Sequence, residues 1–428
     1  MNYLQHLIQS NLRDTGACSP SVCSAQPDVL AASCLLAKEY GRDLIIEATS
    51  NQVNQFGGYT GMQPADFIES VQKIADSVGY HRERIVFGGD HLGPQSWRKE
   101  TAETAMNKAG DMMAAYVKAG FTKIHLDCSE GCSGEPAQVS DAVSATRAAE
   151  LATVCIQNAP DPAALSFIVG TEVPPPGGAR PEDEHNGIRP TTAQAARTTL
   201  NAQKAAFDAT GNTDLWQQVV GLVVQPGVEF SPGSIDHLDI SSPDLLSAIL
   251  PDYPGICFEA HSTDYQHPEA FSELGKRHFA ILKVGPALTF GYREAIYALS
   301  GLDQWLNGLP HISELMEAKM RANPQYWQGH YQPEDDNELR NLLHFSYADR
   351  IRYYWGEPEI ISAIDGLKAR LSTLKPERFL LEAFVPAAAL KRSEHLMEQG
   401  IPWHQAVIYA QIQEKLAPYF VRYNLQQE

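Results

Sequence analysis

Short apolar runs alternate with longer helical periods along the first 290 residues. Strands are predicted at 21–25, 43–49, 84–90, 123–128, 166–172, 219–225, 256–261 and 280–284. Helical periods fall between them at 27–40, 64–78, 101–119, 139–157, 191–210 and 268–278, with a shorter one at 243–250. Several open with proline or a small polar residue, as a first helical turn favours. Four- to eight-residue strands separated by helices make parallel β-α units, and eight such units close into a (β/α)8 TIM barrel. An open doubly wound sheet is the alternative, but no G-x-G-x-x-G follows the first strand.

After residue 290 the strand pattern stops. Amphipathic periods at 312–323, 334–345, 358–371, 376–391 and 403–419 predict a helical extension over 291–428, packed on a 1–290 barrel.

In such barrels the chemistry sits where the strands end. The predicted ends carry Ser24, Glu47, Asp90 with His91, Asp127, Glu172, Gln225, Glu259 with His261, and Lys283. Eight polar ends converging on one rim predict an acid-rich mouth. Alternation puts Glu259 and His261 on one face, and likewise His125 and Asp127. Imidazoles beside carboxylates suit a catalytic divalent metal, zinc first, with His91, Glu172 and His261 as ligands and Asp127 or Glu259 as replacements. Asp90, Asp127 and Glu47 are the candidate proton-transfer carboxylates. Gln225, Glu259, Ser262 and Lys283 are the candidate substrate contacts. Lys283 suits a Schiff base, a phosphate or a carbonyl, and equally an ion pair with a neighbouring acid. The loops FGGYTG, PPPGG and VGP offer backbone N–H groups to a phosphate.

Composition removes other functions. The 428 residues carry a net charge of −19, which argues against nucleic acid or an anionic membrane surface as partner. No apolar run is long enough to span a bilayer, and the first residues lack a signal-peptide pattern. Seven cysteines without a paired metal spacing predict reduced, buried thiols in a cytoplasmic protein. No G-x-x-x-x-G-K-[ST] occurs, which speaks against a P-loop kinase. The segment SYADRIRYYW, 346–355, predicts docking of the helical extension onto the barrel or a partner chain.

The blocks LIIEATSNQVNQFGGYTGM, GGDHLGP, KIHLDCS, GTEVPPPGG, VVQPGVEF, FEAHSTDYQ, AILKVGPALTF and RIRYYW resemble the Z subunits of D-tagatose-1,6-bisphosphate aldolase. That resemblance implies a class II aldolase-like barrel in galactitol or N-acetylgalactosamine catabolism. It implies an accessory role in an oligomer with a catalytic Y-type subunit, while some relatives are ketose or ketose-phosphate 4-epimerases. By the same resemblance, Asp90 is the proton-transfer residue, and His91 and His261 are metal ligands. Gln225 replaces the histidine that class II aldolases carry on the sixth strand, which leaves Glu172 to complete the set. Two functions are therefore expected, the accessory subunit ahead of a metal-dependent 4-epimerase acting on a ketohexose or its phosphate.

Overall fold

The computed structural model describes residues 3–170, 188–212 and 214–420. Eight parallel strands form a closed barrel in sequential order: β1 (Ser19–Val22), β2 (Leu44–Thr49), β3 (Ile85–Leu92), β4 (Lys123–Leu126), β5 (Ser166–Val169), β6 (Val219–Val223), β7 (Cys257–Ala260) and β8 (Phe279–Val284). β8 pairs back to β1, with Lys283 opposite Ser21.

Helix α1 (Tyr3–Ser10) precedes β1. The barrel helices are α2 (Pro27–Glu39), α3 (Pro64–Ser77), α4 (Ala102–Ala119), α5 (Asp141–Asn158), α6 (Ala193–Ala209), α7 (Pro268–Lys276) and α8 (Pro286–Asn307). Their starts carry the expected caps. Thr101, Ser140 and Thr192 accept from the N–H groups of Thr104, Val143 and Ala195. The helix expected at 243–250 is absent. A 3-10 helix over Ser247–Asp252 takes its place, and a two-residue antiparallel ladder (Glu229–Phe230 with Ile235–Asp236) precedes it. Asp244 takes the N–H groups of Leu246 and Ser247, and Pro251 supplies none, so a regular helix is denied both ends.

Beyond the barrel lie α9 (Ile312–Ala322), α10 (Asp336–Phe345), α11 (Pro358–Ser372), α12 (Arg378–Leu381), α13 (Ala387–Glu398) and α14 (Trp403–Leu416). The single period read at 376–391 is two helices, parted before Pro386, the N-cap of α13. α8 runs through residue 290, so barrel and extension share a helix. α14 packs against both α2 and α8, where Gln413 donates to the Ala32 carbonyl at 2.9 Å.

Alternation inside the barrel is inverted relative to a half-solvated sheet. Leu44, Ile46, Ala48, Ile124, Leu126, Phe258 and Ala260 join the core cluster shared with the helices. The positions between them turn inward. At the base these are Ile45, Cys257 and Ile281, packed on Leu4, Leu7 and Ile8 of α1. Above them the interior carries charge. Glu47, Lys123 and Glu259 have no exposed surface. Lys123 pairs with Glu47 and lies 2.7 Å from Glu259. Glu47 of β2 and Lys123 of β4 share a level through Gly88 of β3, and a Cβ on Gly88 would stand 2.7 Å from Glu47 Cγ. Glycine there makes room for the carboxylate.

Candidate active site at the barrel mouth

The charged layer supports a cluster of three imidazoles. The rings of His91, His125 and His261 lie 5.0–5.2 Å apart, centroid to centroid. Each arrives by a different local device. His125 follows Lys123 by one inward position on β4. His261 follows Glu259 in the same way, just past the end of β7. Asp90 and His91 are consecutive, so simple alternation would send them to opposite faces. Instead β3 carries an extra residue between Gly89 and Leu92 relative to β4, and His91 takes a left-handed φ of 46°. This bulge turns both side chains into the cluster, a strain that packing must hold in place. The His91 N–H donates to His125 Nδ1 at 3.1 Å.

Carboxylates hold the rings. Asp127 lies 2.8 Å from His91 Nδ1, and its other oxygen accepts from the Ser129 N–H and hydroxyl. Glu259 lies 2.9 Å from His261 Nε2. Lys283 contacts Asp90 and approaches Glu47 at 3.1 Å and Glu259 at 3.5 Å. Of the roles open to Lys283, the ion pair is the one found. Glu47, expected as a catalyst, and Glu259, expected as a substrate contact, lie one layer below the mouth. There they support Lys123, Lys283 and His261. Asp127, expected as a proton-transfer group, spends its oxygens on His91 and Ser129.

The electrostatics divide the rings. Burial, then the nearby Lys283 charge, lowers the pKa of His125 and holds that of His261 well below the usual imidazole range. Both rings are neutral and keep a lone pair. Burial also disfavours the His91 imidazolium, but Asp90 and Asp127 outweigh it and raise that pKa. Burial would raise the Asp90 carboxyl, yet His91 and Lys283 hold it well below its ordinary value. Asp90 is therefore ionised.

A ligand nitrogen from each of His125 and His261 and an oxygen of Asp90 lie within 4.8 Å of one another. His125 Nε2 is buried without a hydrogen-bond partner among the described residues. Neutral imidazoles fixed by carboxylates, with an orphaned nitrogen, fit a divalent metal. His261 belongs to the expected ligand set. His125 does not: alternation places it only on one face with Asp127. Glu172 and the PPPGG loop lie outside the described residues.

Asp90, His91, His261, Ser262 and Lys283 line a cleft open to solvent. Gln225 is not brought to it; its side-chain oxygen accepts from Gly227 and Val228 N–H and closes its own turn. Ser262, after His261, takes a φ of 51°. The VGP start of α8, expected to offer N–H groups to a phosphate, is already occupied. The Asp264 carboxylate accepts from Gly285 and Ala287 N–H at 3.0 and 2.8 Å. The stretch 255–265 thus ends by capping a helix. Two lining residues that the strand pattern gave no sign of, Arg352 and Tyr353, come from the segment expected only to dock the extension.

No described helix is long and apolar enough to cross a membrane. All seven cysteines are free thiols, six of them buried.

A D-tagatose 6-phosphate 4-epimerase of Agrobacterium fabrum (strain C58 / ATCC 33970) is 43% identical over 425 residues, 97% of each chain. The crystal structure of a probable tagatose 6 phosphate kinase from Sinorhizobium meliloti 1021 matches with a TM-score of 0.84 at 42% identity, covering 94% of this chain and 99% of that one. The family model for D-tagatose-1,6-bisphosphate aldolase subunit GatZ/KbaZ-like proteins matches residues 4–423. The chain belongs to the GatZ/KbaZ-like family.

Proposed function

We propose that this chain is itself an enzyme, a metal-dependent 4-epimerase of a ketohexose or its 6-phosphate. The observation that carries this reading is the buried cluster of three imidazoles, an ionised Asp90 and Lys283, assembled within a single chain at the floor of an open cleft. A surface that serves only to stabilise a partner needs no such cluster, because burying these charges is costly. The name of the Agrobacterium relative supports the same choice over the accessory role.

His125 and His261 would hold the metal as neutral rings, and His91 would join them on giving up the proton that Asp90 and Asp127 favour, since Asp90 is engaged by Lys283; the donor set suits zinc. A metal there supplies Lewis-acid polarisation of the ketose carbonyl. Asp90 takes the proton of the C4 hydroxyl as the C3–C4 bond breaks, and the bonding pair goes to the C1–C3 fragment. The C4–C6 aldehyde then presents its other face, the bond re-forms, and Asp90 returns the proton to the C4 oxygen. Nothing is consumed. Lys283 keeps Asp90 ionised between turnovers, and Asp127 and Glu259 fix the orientation of His91 and His261.

The test is the purified chain alone, loaded with Zn²⁺, Mn²⁺, Ni²⁺ or Mg²⁺ and supplied with fructose, tagatose and their 6-phosphates. Interconversion is expected. No interconversion by a metal-loaded chain, together with undiminished activation of a Y-type aldolase by an Asp90→Asn variant, returns the accessory role that the family description implies.

A further inference from the structure

A ketohexose 6-phosphate carries its carbonyl at C2 and its phosphate at the far end of the carbon chain. The imidazole cluster accounts for the carbonyl end only. Along the cleft from it, Arg352 and Tyr353 stand where the inner cavity meets a larger outer one, which is lined by Ser24, Met62, Trp355 and Lys368.

Arg352 is half-buried and its bonds are all to neutral groups. It donates to the Ala348 and Asp349 carbonyls and to the Tyr353 hydroxyl, the last at 3.0 Å. Among the described residues no carboxylate comes within ion-pair distance of it. The two acids nearest to hand are committed elsewhere. Asp349 accepts from Thr289 at 2.5 Å and faces Arg293 at 3.5 Å, while Asp264 caps α8. Arg350 adds a second guanidinium, 4.8 Å from the Tyr353 ring centroid, with Arg352 at 4.6 Å. Burial would raise the Tyr353 phenol, but Arg350 and Arg352 lower it, a sign of local positive potential. In a chain of net charge −19 such a spot facing a cleft is unusual. A guanidinium held by carbonyls, in ion-pair contact with no described carboxylate, is preorganised for a phosphate.

We infer that Arg352 is the specificity-determining residue that receives the phosphate of the sugar, which makes the substrate a ketohexose 6-phosphate rather than the free ketohexose. This rests on the epimerase reading for the identity of the sugar. The anion site itself does not depend on that reading.

Two measurements test it. Inorganic phosphate is titrated calorimetrically, without sugar, into the wild type, Arg352→Lys and Arg352→Gln. The wild type binds, Arg352→Lys binds more weakly because it keeps the charge and loses the fork, and Arg352→Gln loses at least about tenfold in affinity. Separately, the ratio of kcat/KM for ketohexose 6-phosphate over free ketohexose falls about a hundredfold in Arg352→Gln, as expected for two charge-assisted hydrogen bonds. Equal phosphate affinity in all three proteins, no phosphate binding by the wild type, or an unchanged ratio overturns the inference. Phosphate held by Lys283 and the imidazoles instead gives the first of these results. If Arg352→Gln does not fold, Arg352→Lys decides. If neither sugar is turned over, the proposed reaction fails while the phosphate titration still decides the site.

Discussion

Glu259 lies on β7 and His261 just past its end, and their side chains meet at 2.9 Å, carboxylate to Nε2. The same carboxylate holds Lys123 on its other side at 2.7 Å. One residue thus joins the charged interior of the barrel to the imidazole cluster above it. Glu259→Gln is expected to cost about 3–5 kcal/mol of stability, the loss typical of breaking a buried pair from one side. Metal affinity should drop about 10- to 100-fold, as for other partners that orient a ligand. Urea denaturation and metal titration of the variant measure the two effects.

Asp90 and the imidazoles separate by assay. His91→Ala, His125→Ala and His261→Ala should each strip most of the bound metal, read by elemental analysis after gel filtration. Asp90→Asn should keep its metal and lose turnover by about 10² to 10⁴. An Asp90→Asn variant that loses its metal makes Asp90 the ligand and His91 the proton carrier.

Gly88→Ala probes the depth of the charged layer. The new Cβ would stand 2.7 Å from Glu47 Cγ, so Glu47 must shift away from Lys123 and Lys283. Overpacking of this kind costs about 1–3 kcal/mol, and turnover should fall with it. A variant with wild-type Tm and activity contradicts the packing described.

Glu229 predicts a pH dependence of stability. Burial pushes its carboxyl from 4.5 up to about 7, against the pull of the Ser262 hydroxyl and the Phe230 N–H. The folded state binds this proton more tightly than the unfolded chain. Its contribution is therefore full below about pH 4.5 and is lost as pH rises to about 7, a span worth up to about 3 kcal/mol. Glu229→Gln should flatten stability against pH across that window in chemical denaturation. An unchanged slope removes Glu229 as the cause.

The barrel was legible because parallel strands under helices leave near-continuous apolar runs with turn signals between them. The site was half legible, for a reason visible in KIHLD. The strand end marks Asp127, and alternation puts His125 on the same face without giving it a role; Lys123 carries no such mark, although all three fall on the alternate positions that face the barrel axis. Apolar residues at the intervening positions were the available signal, since in a helix-covered barrel the polar face must be the inner one. Asp90 and His91 are legible as a pair from their polarity at a strand end and from the family resemblance; the bulge that lets neighbours share a site leaves no mark in the alternation. Arg352 was unreadable in its role because 346–355 reaches the mouth through packing of a distant part of the chain.

Helix α1 sets how the cluster meets solvent. Leu4, Leu7 and Ile8 stopper the strand N-termini with hydrocarbon, directly beneath Ile45, Cys257 and Ile281. The barrel is in effect a blind well. In the proposed epimerase, substrate and departing product would share the mouth of this well, so product release would compete directly with turnover.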